Sequence, residues 1–180
     1  MLPITIQARE LWDEGSEQFI TIPKQTLLLE HSLLSLSKWE SKWRKPFLHV
    51  DKLTVAESRD YIRCMTITPD VDPLVYNFLT DEHMDQVSAY LAEPMTATWF
   101  SKDENSKPSR EIITNEVIYC WMAQMQIPFE CENWHLNRLF TLIKVCSEKN
   151  KPPKKMSQSE AMSRHKELNA ARRKQFNPKG

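Results

Sequence analysis

Cys131 and His135 come closest, by type and spacing, to a metal site or a catalytic pair. Residues four apart share one helix face, so this thiol and imidazole would lie side by side. A structural zinc site needs about four ligands at compact spacing. The nearest other cysteines, Cys120 and Cys146, lie eleven residues before and fifteen residues after Cys131. The spacing favours core thiols and a hydrogen-bonded histidine, and we expect no bound metal.

A catalytic reading of the same residues needs a lowered thiol pKa and a third group that orients the histidine. The sequence names no such group. The neighbouring carboxylates Glu130 and Glu132 cannot be distinguished from solvated loop charges. We therefore expect no catalytic residue and no enzymatic activity, and a cysteine or zinc enzyme ranks last among the hypotheses.

Glycine is scarce, since Gly15 and Gly180 are the only two in 180 residues. A P-loop and a Rossmann turn both need glycines so that the backbone can approach phosphate closely. A G-x-S-x-G nucleophile elbow is excluded for the same reason. The sequence thus excludes these phosphate-binding and hydrolase motifs, and we expect no cofactor.

Charge divides the chain into an acidic part and a basic part. Residues 1–147 carry 14 Lys/Arg and 21 Asp/Glu, whereas residues 148–180 carry 10 and 3. Pro152 and Pro153 stand among lysines, which is typical of a stiff linker. We predict a globular domain over 1–148, followed at 149–180 by a basic linker and a marginal helix or disordered tail.

The basic tail allows three interpretations. Ser157-x-x-Glu160 is a capping box, and the apolar residues after it are too few to hold a helix by themselves. The tail could bind nucleic acid, dock on an acidic protein, or simply be a solvated helix face. Its cations include Lys151, Lys154, Lys155, Arg164, Lys166, Arg172, Arg173 and Lys174.

The elements that position these residues indicate an α+β fold, with N-terminal β-hairpin elements and a mainly helical bundle. Ile4 and Ile6 alternate with polar residues, and the apolar run from Phe19 to Ile22 follows a turn at residues 13–16 in which Gly15 would supply positive φ. Leu27 to Leu29 is a candidate third strand. Further strands are predicted at 95–100 and 110–113, around a loop at 101–109.

Helices are predicted from periodicity and capping residues. Thr54 and Glu57 form a capping box, and Asp72 precedes a proline suited to the first helical position. The predicted helices span 32–44, 54–65, 72–79, 81–93, 114–127 and 131–147. Of the six tryptophans, four lie at helical spacing and are mostly expected in the core, whereas Trp12 and Trp99 lie near strand edges and are candidate exposed anchors.

Two stretches resemble a known family. HSLLSLSKWESKWRKPFL, residues 31–48, and REIITNEVIYCWMAQMQIPFECENWHLNRLFTLIKVC, residues 110–146, are similar to tail assembly chaperones of long-tailed bacteriophages, as is the basic tail. The similarity corresponds to the short, non-frameshifted form of the family and covers about two thirds of the chain.

The resemblance implies a chaperone that binds the tape measure protein and keeps it soluble during tail tube assembly. It also implies a frameshifted longer form and the tail tube protein as further partners, and leaves open whether copies of the chain associate. The expected location is the host cytoplasm, not the mature virion, with no membrane partner. Surface residues of the matched helices and tail are our candidate partner contacts: Trp39, Trp43, Trp134, Arg138, Leu168 and Phe176. The alternative function is a nucleic-acid-binding accessory protein that acts through the basic tail.

Overall fold

The structure is a computed structural model that describes residues 1–13, 15, 17–100, 111–151 and 158–176. The fold is α+β, as predicted, with short antiparallel strands followed by helices. The chain divides into two compact units, Met1–Ser147 and Glu148–Gly180. The predicted loop at 101–109 lies outside the described residues.

The strands form one long hairpin with a break in the middle. They are β1 (Leu2–Ile6), β2 (Arg9–Asp13), β3 (Gln18–Ile22) and β4 (Gln25–Leu29). β1 pairs with β4 and β2 pairs with β3, both antiparallel. The residue numbers of the two partners add up to the same value in every pair, so both ladders share one register. The break falls at Gln7–Ala8 and Pro23–Lys24, where Pro23 has no N–H to donate to a ladder.

This pairing corrects the predicted hairpin. The strand that contains Ile4 pairs with Gln25–Leu29, not with the strand after the turn, whose partner is β2. The predicted reason for the turn is also wrong, because Gly15 does not have positive φ and Glu17 does, at 50°. A residue with positive φ can complete the chain reversal in a short loop. Among the described loop residues, Glu17 rather than glycine has this conformation.

The first hydrophobic cluster joins the hairpin to the first three helices. These are α1 (Leu33–Trp43), α2 (Val55–Met65) and α3 (Asp81–Ala92), with 3-10 turns at Phe47–His49 and Pro73–Phe78. The cluster consists of Ile4, Ile6, Ile22, Leu27, Leu29, Trp39, Tyr61, Ile62, Met65, Val75, Tyr76, Val87 and Tyr90. Local capping fixes the helix starts, because the predicted box at Thr54 and Glu57 forms in both directions and Asp72 accepts from the Leu74 N–H.

The second cluster packs α1 against the helices that follow. These are α4 (Asn115–Gln124) and α5 (Leu136–Asn150), with a 3-10 turn at Phe129–Asn133. Its buried residues are Leu33, Leu36, Ile118, Met122, Ile127, Cys131, Leu136, Leu139 and Ile143. Since α1 supplies residues to both clusters, it is the element around which the first unit is organised.

Several predicted elements differ from the observed ones. Residues 95–100 and 111–113 are not strands, and Met95 has a φ of 48°, which interrupts an extended run; Arg110 lies outside the described residues. The helix predicted to reach 127 ends at Gln124, because Gln126 has a φ of 55°. The helix predicted from 131 begins at Leu136, after the 3-10 turn.

The second unit contains α6 (Gln158–Phe176). Every side chain described in α6, from Met162 to Arg173, is exposed. Ser157, the predicted cap, lies outside the described residues. From Met162 to Arg173, this helix therefore has no side-chain burial to add to its own hydrogen bonds.

Candidate partner-binding surfaces

Two buried histidines lie where the two clusters meet. The ring centroids of His31 and His135 are 5.2 Å apart, and the His31 carbonyl accepts a 2.7 Å hydrogen bond from the Leu136 N–H. His31 Nδ1 lies 2.6 Å from the hydroxyl of Tyr61, and His135 Nε2 lies 3.1 Å from the carbonyl oxygen of Tyr90. This network ties α2 and α3 to the start of α5.

Burial keeps these imidazoles neutral. It lowers the pKa of His31 to about 3, with a smaller contribution from His135, and it also lowers the pKa of His135. His135 Nδ1 accepts from the Asn137 N–H, which leaves Nε2–H to donate to the Tyr90 carbonyl. The pair therefore serves packing and hydrogen bonding rather than charge.

Hydrogen bonds accepted by Glu40 connect α1 to the 3-10 turn at Phe47–His49 and to the start of α4. Its carboxylate is buried and accepts three hydrogen bonds, from the Phe47 N–H at 2.8 Å and from the backbone and side-chain nitrogens of Asn115 at 2.8 and 2.7 Å. A buried carboxylate is tolerated when donors surround it in this way. Neither Glu40 nor its partners points to chemistry on a ligand.

Ion pairs line the contact between α1 and α2. Asp60 accepts from Lys42 Nζ at 2.6 Å and from Trp43 Nε1 at 2.7 Å, and it pairs with Arg63 at 2.9 Å. Glu57 accepts from Lys45 Nζ at 2.6 Å, and the hydrogen bonds from Lys45 and Thr54 lower its pKa to about 2. Hydrogen bonds from Lys42 and Trp43, with the charge of Arg63, outweigh burial and lower the pKa of Asp60 as well, so both carboxylates are ionised at neutral pH.

Cys131 and Cys64 do not have the electrostatics of a nucleophile. Burial, with the Glu130 carboxylate, raises the pKa of the Cys131 thiol, and burial, with Asp60, raises that of Cys64. A reactive thiol needs the opposite shift. The part of the chain that the structure describes contains no group of three or more His, Cys, Asp or Glu side chains able to hold a metal ion.

Large apolar side chains remain exposed on the first unit. Trp12 and Phe19 face each other across β2 and β3 with ring centroids 5.0 Å apart, and they are 53% and 67% exposed. Trp99 is 86% exposed. The expectation that Trp12 and Trp99 are exposed is thus confirmed. The two rings together form an exposed apolar surface, which makes them candidate contacts for a partner.

Trp39 was predicted as a surface residue, and this is wrong. Its side chain is fully buried, its ring packs edge-on against Phe47 and Tyr61, and its Nε1–H donates to the Glu57 carbonyl at 3.0 Å. The helical periodicity that predicted a helix over residues 32–44 also places Trp39 on the face that packs in the first cluster. Trp43, one turn later, is half-buried.

The other candidate contacts lie in separate places. Arg138 is exposed, and its guanidinium lies 4.1 Å from the ring centroid of the half-buried Trp134. Trp134 packs on the second cluster, whereas Trp43 packs on the first. On α6, Leu168 is 47% exposed, and the side chain of Phe176 lies outside the described residues.

Sequence reasoning missed Phe19 as an exposed anchor. The residue was placed on a strand, but on one paired with the wrong partner, so its position opposite Trp12 did not emerge. The signal was present, because a turn centred on residues 14–17 places residues 12 and 19 opposite each other.

A comparison with protein-family models, with curated proteins and with solved structures found no match to the chain. None of the helices that the structure describes combines the length and the apolar character that crossing a bilayer requires.

Proposed function

We propose that this chain is a tail assembly chaperone of a long-tailed bacteriophage. In this role it binds the tape measure protein in the host cytoplasm and keeps it soluble until tail tube subunits assemble around it. It acts without enzymatic chemistry and is absent from the finished virion. The tail tube protein and a frameshifted longer form of the chain are further proposed partners.

The packing of the two similar stretches supports the proposal. All nine buried residues of the second cluster lie within residues 31–48 and 110–146, the two stretches that resemble the chaperone family. Segments far apart in sequence thus build one packed substructure together. The resemblance therefore follows a structural unit rather than a scattered set of positions.

The observation that carries the proposal is the exposed pair Trp12–Phe19. A protein that shields an apolar helix needs apolar surface of its own to offer it. These two rings stand opposite each other on β2 and β3, and more than half of each side chain is in solvent. Aromatic rings supply much contact area at a small cost in side-chain entropy, so they suit a long, variable partner.

Co-expression with the tape measure protein of the same phage tests the proposal. We expect the tape measure protein to become soluble and to elute with the chain. The variant Trp12→Ala/Phe19→Ala should recover less complex. Val55→Ala, which changes another exposed apolar residue, is the control and should recover as much complex as the unmodified chain. If the tape measure protein remains insoluble and no complex elutes, the proposal fails.

A second candidate function rests on α6. Arg164, Lys166, Arg172 and Arg173 are all exposed on this helix, and the unit that contains it carries a net charge of +7. Cations on an accessible helix can neutralise phosphates and release counterions. The second candidate is therefore a nucleic-acid-binding accessory protein.

A gel-shift titration at low and high salt separates the two functions. Nucleic-acid binding through α6 should weaken steeply with salt and disappear when Arg164, Lys166, Arg172 and Arg173 are changed to Gln. Solubility of the tape measure protein should respond instead to the aromatic pair.

A further inference from the structure

A strip of four cations crosses the surface of α1 and α2. Lys38 and Lys42 are four residues apart on α1, and Arg59 and Arg63 are four apart on α2. Residues at this spacing lie above one another on one helix face. The two rows meet at Asp60, whose Oδ1 contacts Lys42 Nζ at 2.6 Å and Arg63 Nη2 at 2.9 Å. We call these four residues the basic strip.

Most of the charge of the basic strip is uncompensated. Asp60 is the carboxylate that Lys42 and Arg63 share. Within the described part of the chain, neither Lys38 nor Arg59 forms a hydrogen bond or ion pair. Lys38 and Cys64 line one further cleft, and Cys64 directly follows Arg63 on α2. The strip and Asp60 together carry a net charge of +3.

This charge stands out against the rest of the first unit. Residues 1–147 have a net charge of −7, and residues 64–100 contain six carboxylates and no Lys or Arg. Three members of the strip, Lys42, Arg59 and Arg63, line a cleft of about 420 Å³ between α1, α2 and the 3-10 turn at Pro73–Phe78. Positive charge concentrated on an otherwise acidic unit indicates a surface for an anionic partner.

We propose that the basic strip binds an acidic helix of the partner, one that presents carboxylates at i, i+4 spacing. Carboxylates four apart on a helix repeat at about 6 Å, which is the repeat of Lys38–Lys42 and of Arg59–Arg63. The two rows can therefore meet successive carboxylates along one partner helix. Arginine adds the two-pronged hydrogen bonding that suits a carboxylate.

Trp43 argues against nucleic acid as the occupant. Single strands are held by cations together with aromatic faces on which bases stack. The Trp43 ring is stacked on Trp39 at 6.1 Å, and Lys42 Nζ lies over it at 5.6 Å. Its N–H is also used, since it donates to Asp60. These contacts occupy the aromatic ring beside the strip, so a base finds no free platform there.

The inference rests on the proposed function only for the identity of the partner, which would then be an acidic segment of the tape measure protein. The binding chemistry is tested without that protein. The probe is a fluorescein-labelled, alanine-based helical peptide of about 20 residues with Glu at i, i+4. A matched peptide carries Gln at the same positions. Fluorescence anisotropy measures the affinity of the full chain for each.

The test variant is Lys38→Gln/Arg59→Gln, since the exposed Lys38 and the half-buried Arg59 form no ion pair among the described residues. The control, Lys24→Gln/Lys52→Gln, removes the same charge from exposed lysines elsewhere. We expect the test variant to bind the Glu peptide about tenfold more weakly and the control less than about twofold more weakly. Binding should also weaken between about 50 mM and about 300 mM salt. Equal thermal unfolding of both variants confirms that they fold.

The inference is overturned if the Gln peptide binds as tightly as the Glu peptide, or if both double variants lose equal affinity. It is also overturned if a labelled thymidine oligonucleotide binds the strip more tightly than the Glu peptide does. If the chain solubilises the tape measure protein but does not bind the Glu peptide, this inference alone is refuted. A chain that binds the Glu peptide but leaves the tape measure protein insoluble refutes the proposed function alone.

Discussion

Helix α1 is shorter than α6, yet it buries more of the side chains that the structure describes. α1 has 11 residues, of which Leu33, Ser35, Leu36, Trp39 and Glu40 are buried. α6 has 19 residues, and each of its described side chains is exposed. The shorter helix therefore holds the first unit together, while the longer one contributes no buried side chain among those described.

The difference shows what stabilises a helix in this protein. An isolated helix is marginal in water even when its residues favour helix formation, because nucleation is costly. α1 offsets that cost with apolar burial in both clusters, a capping box at Ser32 and the buried hydrogen bonds of Glu40. α6 has helix-forming residues but none of these contacts among its described side chains, so we expect its stability to depend on a partner.

Leu36→Ala should show the largest effect. Leu36 is fully buried in the second cluster, and removing such a side chain leaves a cavity that costs about 2–5 kcal/mol of unfolding free energy. The matched change on α6, Leu168→Ala, should cost less than about 0.5 kcal/mol, because that side chain is 47% exposed. Chemical denaturation measures both, and equal losses would contradict the comparison.

Acid should destabilise the first unit through His31. Its pKa is about 3 in the folded chain against 6.5 for the unperturbed group, so the unfolded chain takes up the proton first as pH falls. Stability is then lost progressively below pH 6.5 and down to about pH 3, by on the order of 3 kcal/mol at pH 4.

The variant His31→Gln removes the contribution of His31 and leaves that of His135, whose pKa is also lowered by burial. Glu57 has a lowered pKa, so its own contribution disappears only as pH falls below about 4.5. Between pH 6.5 and 4.5, the denaturation free energy of the variant should therefore depend less steeply on pH than that of the unmodified chain. A variant with an unchanged slope would mean that His31 does not carry the acid sensitivity.

Glu40→Ala should cost about 2 kcal/mol or more. The change leaves the Phe47 N–H and both nitrogens of Asn115 without their acceptor in a buried place. Glu167→Ala on α6 removes an exposed carboxylate and should be close to neutral. Thermal unfolding compares the two, and a neutral Glu40→Ala would show that water replaces the lost acceptor.

Hydrogen exchange of the backbone amides compares the local opening of α1 and α6 directly. Amides in α6 should be protected by less than about tenfold, because the helix opens without breaking any described side-chain packing. Amides in the middle of α1 should exchange only when the first unit opens. Strong protection in α6 would show that it is already packed on something in the free chain. Addition of the partner should raise the protection in α6.

Local chemistry explains which elements could be predicted. The helix after Thr54 begins where its capping box predicted, because Thr54 and Glu57 bond to each other across three residues. Asp72 caps its turn for the same reason. The strands at 95–100 and 111–113 were wrong, since β propensity does not supply a partner strand and Met95 has positive φ.

Among the candidate contact residues, the sequence likewise predicted the helix on which they lie but not their burial. Periodicity placed Trp39 and Trp43 on one helix, but it did not tell that Trp39 is buried and Trp43 only half-buried. That depends on where Phe47 and Tyr61 lie, and both belong to other elements. The basic strip likewise needs the packing of α2 on α1, which brings Lys42 and Arg63 to one oxygen of Asp60.

By itself, the sequence determined the α+β class, the helix starts marked by capping residues, and the separation of acidic and basic charge along the chain. These depend on interactions within a few residues or on composition. Only the tertiary structure decided that β1 pairs with β4 and that two histidines meet in the interior. Those contacts join residues remote in sequence, so the packing of the whole unit selects them and no local pattern encodes them.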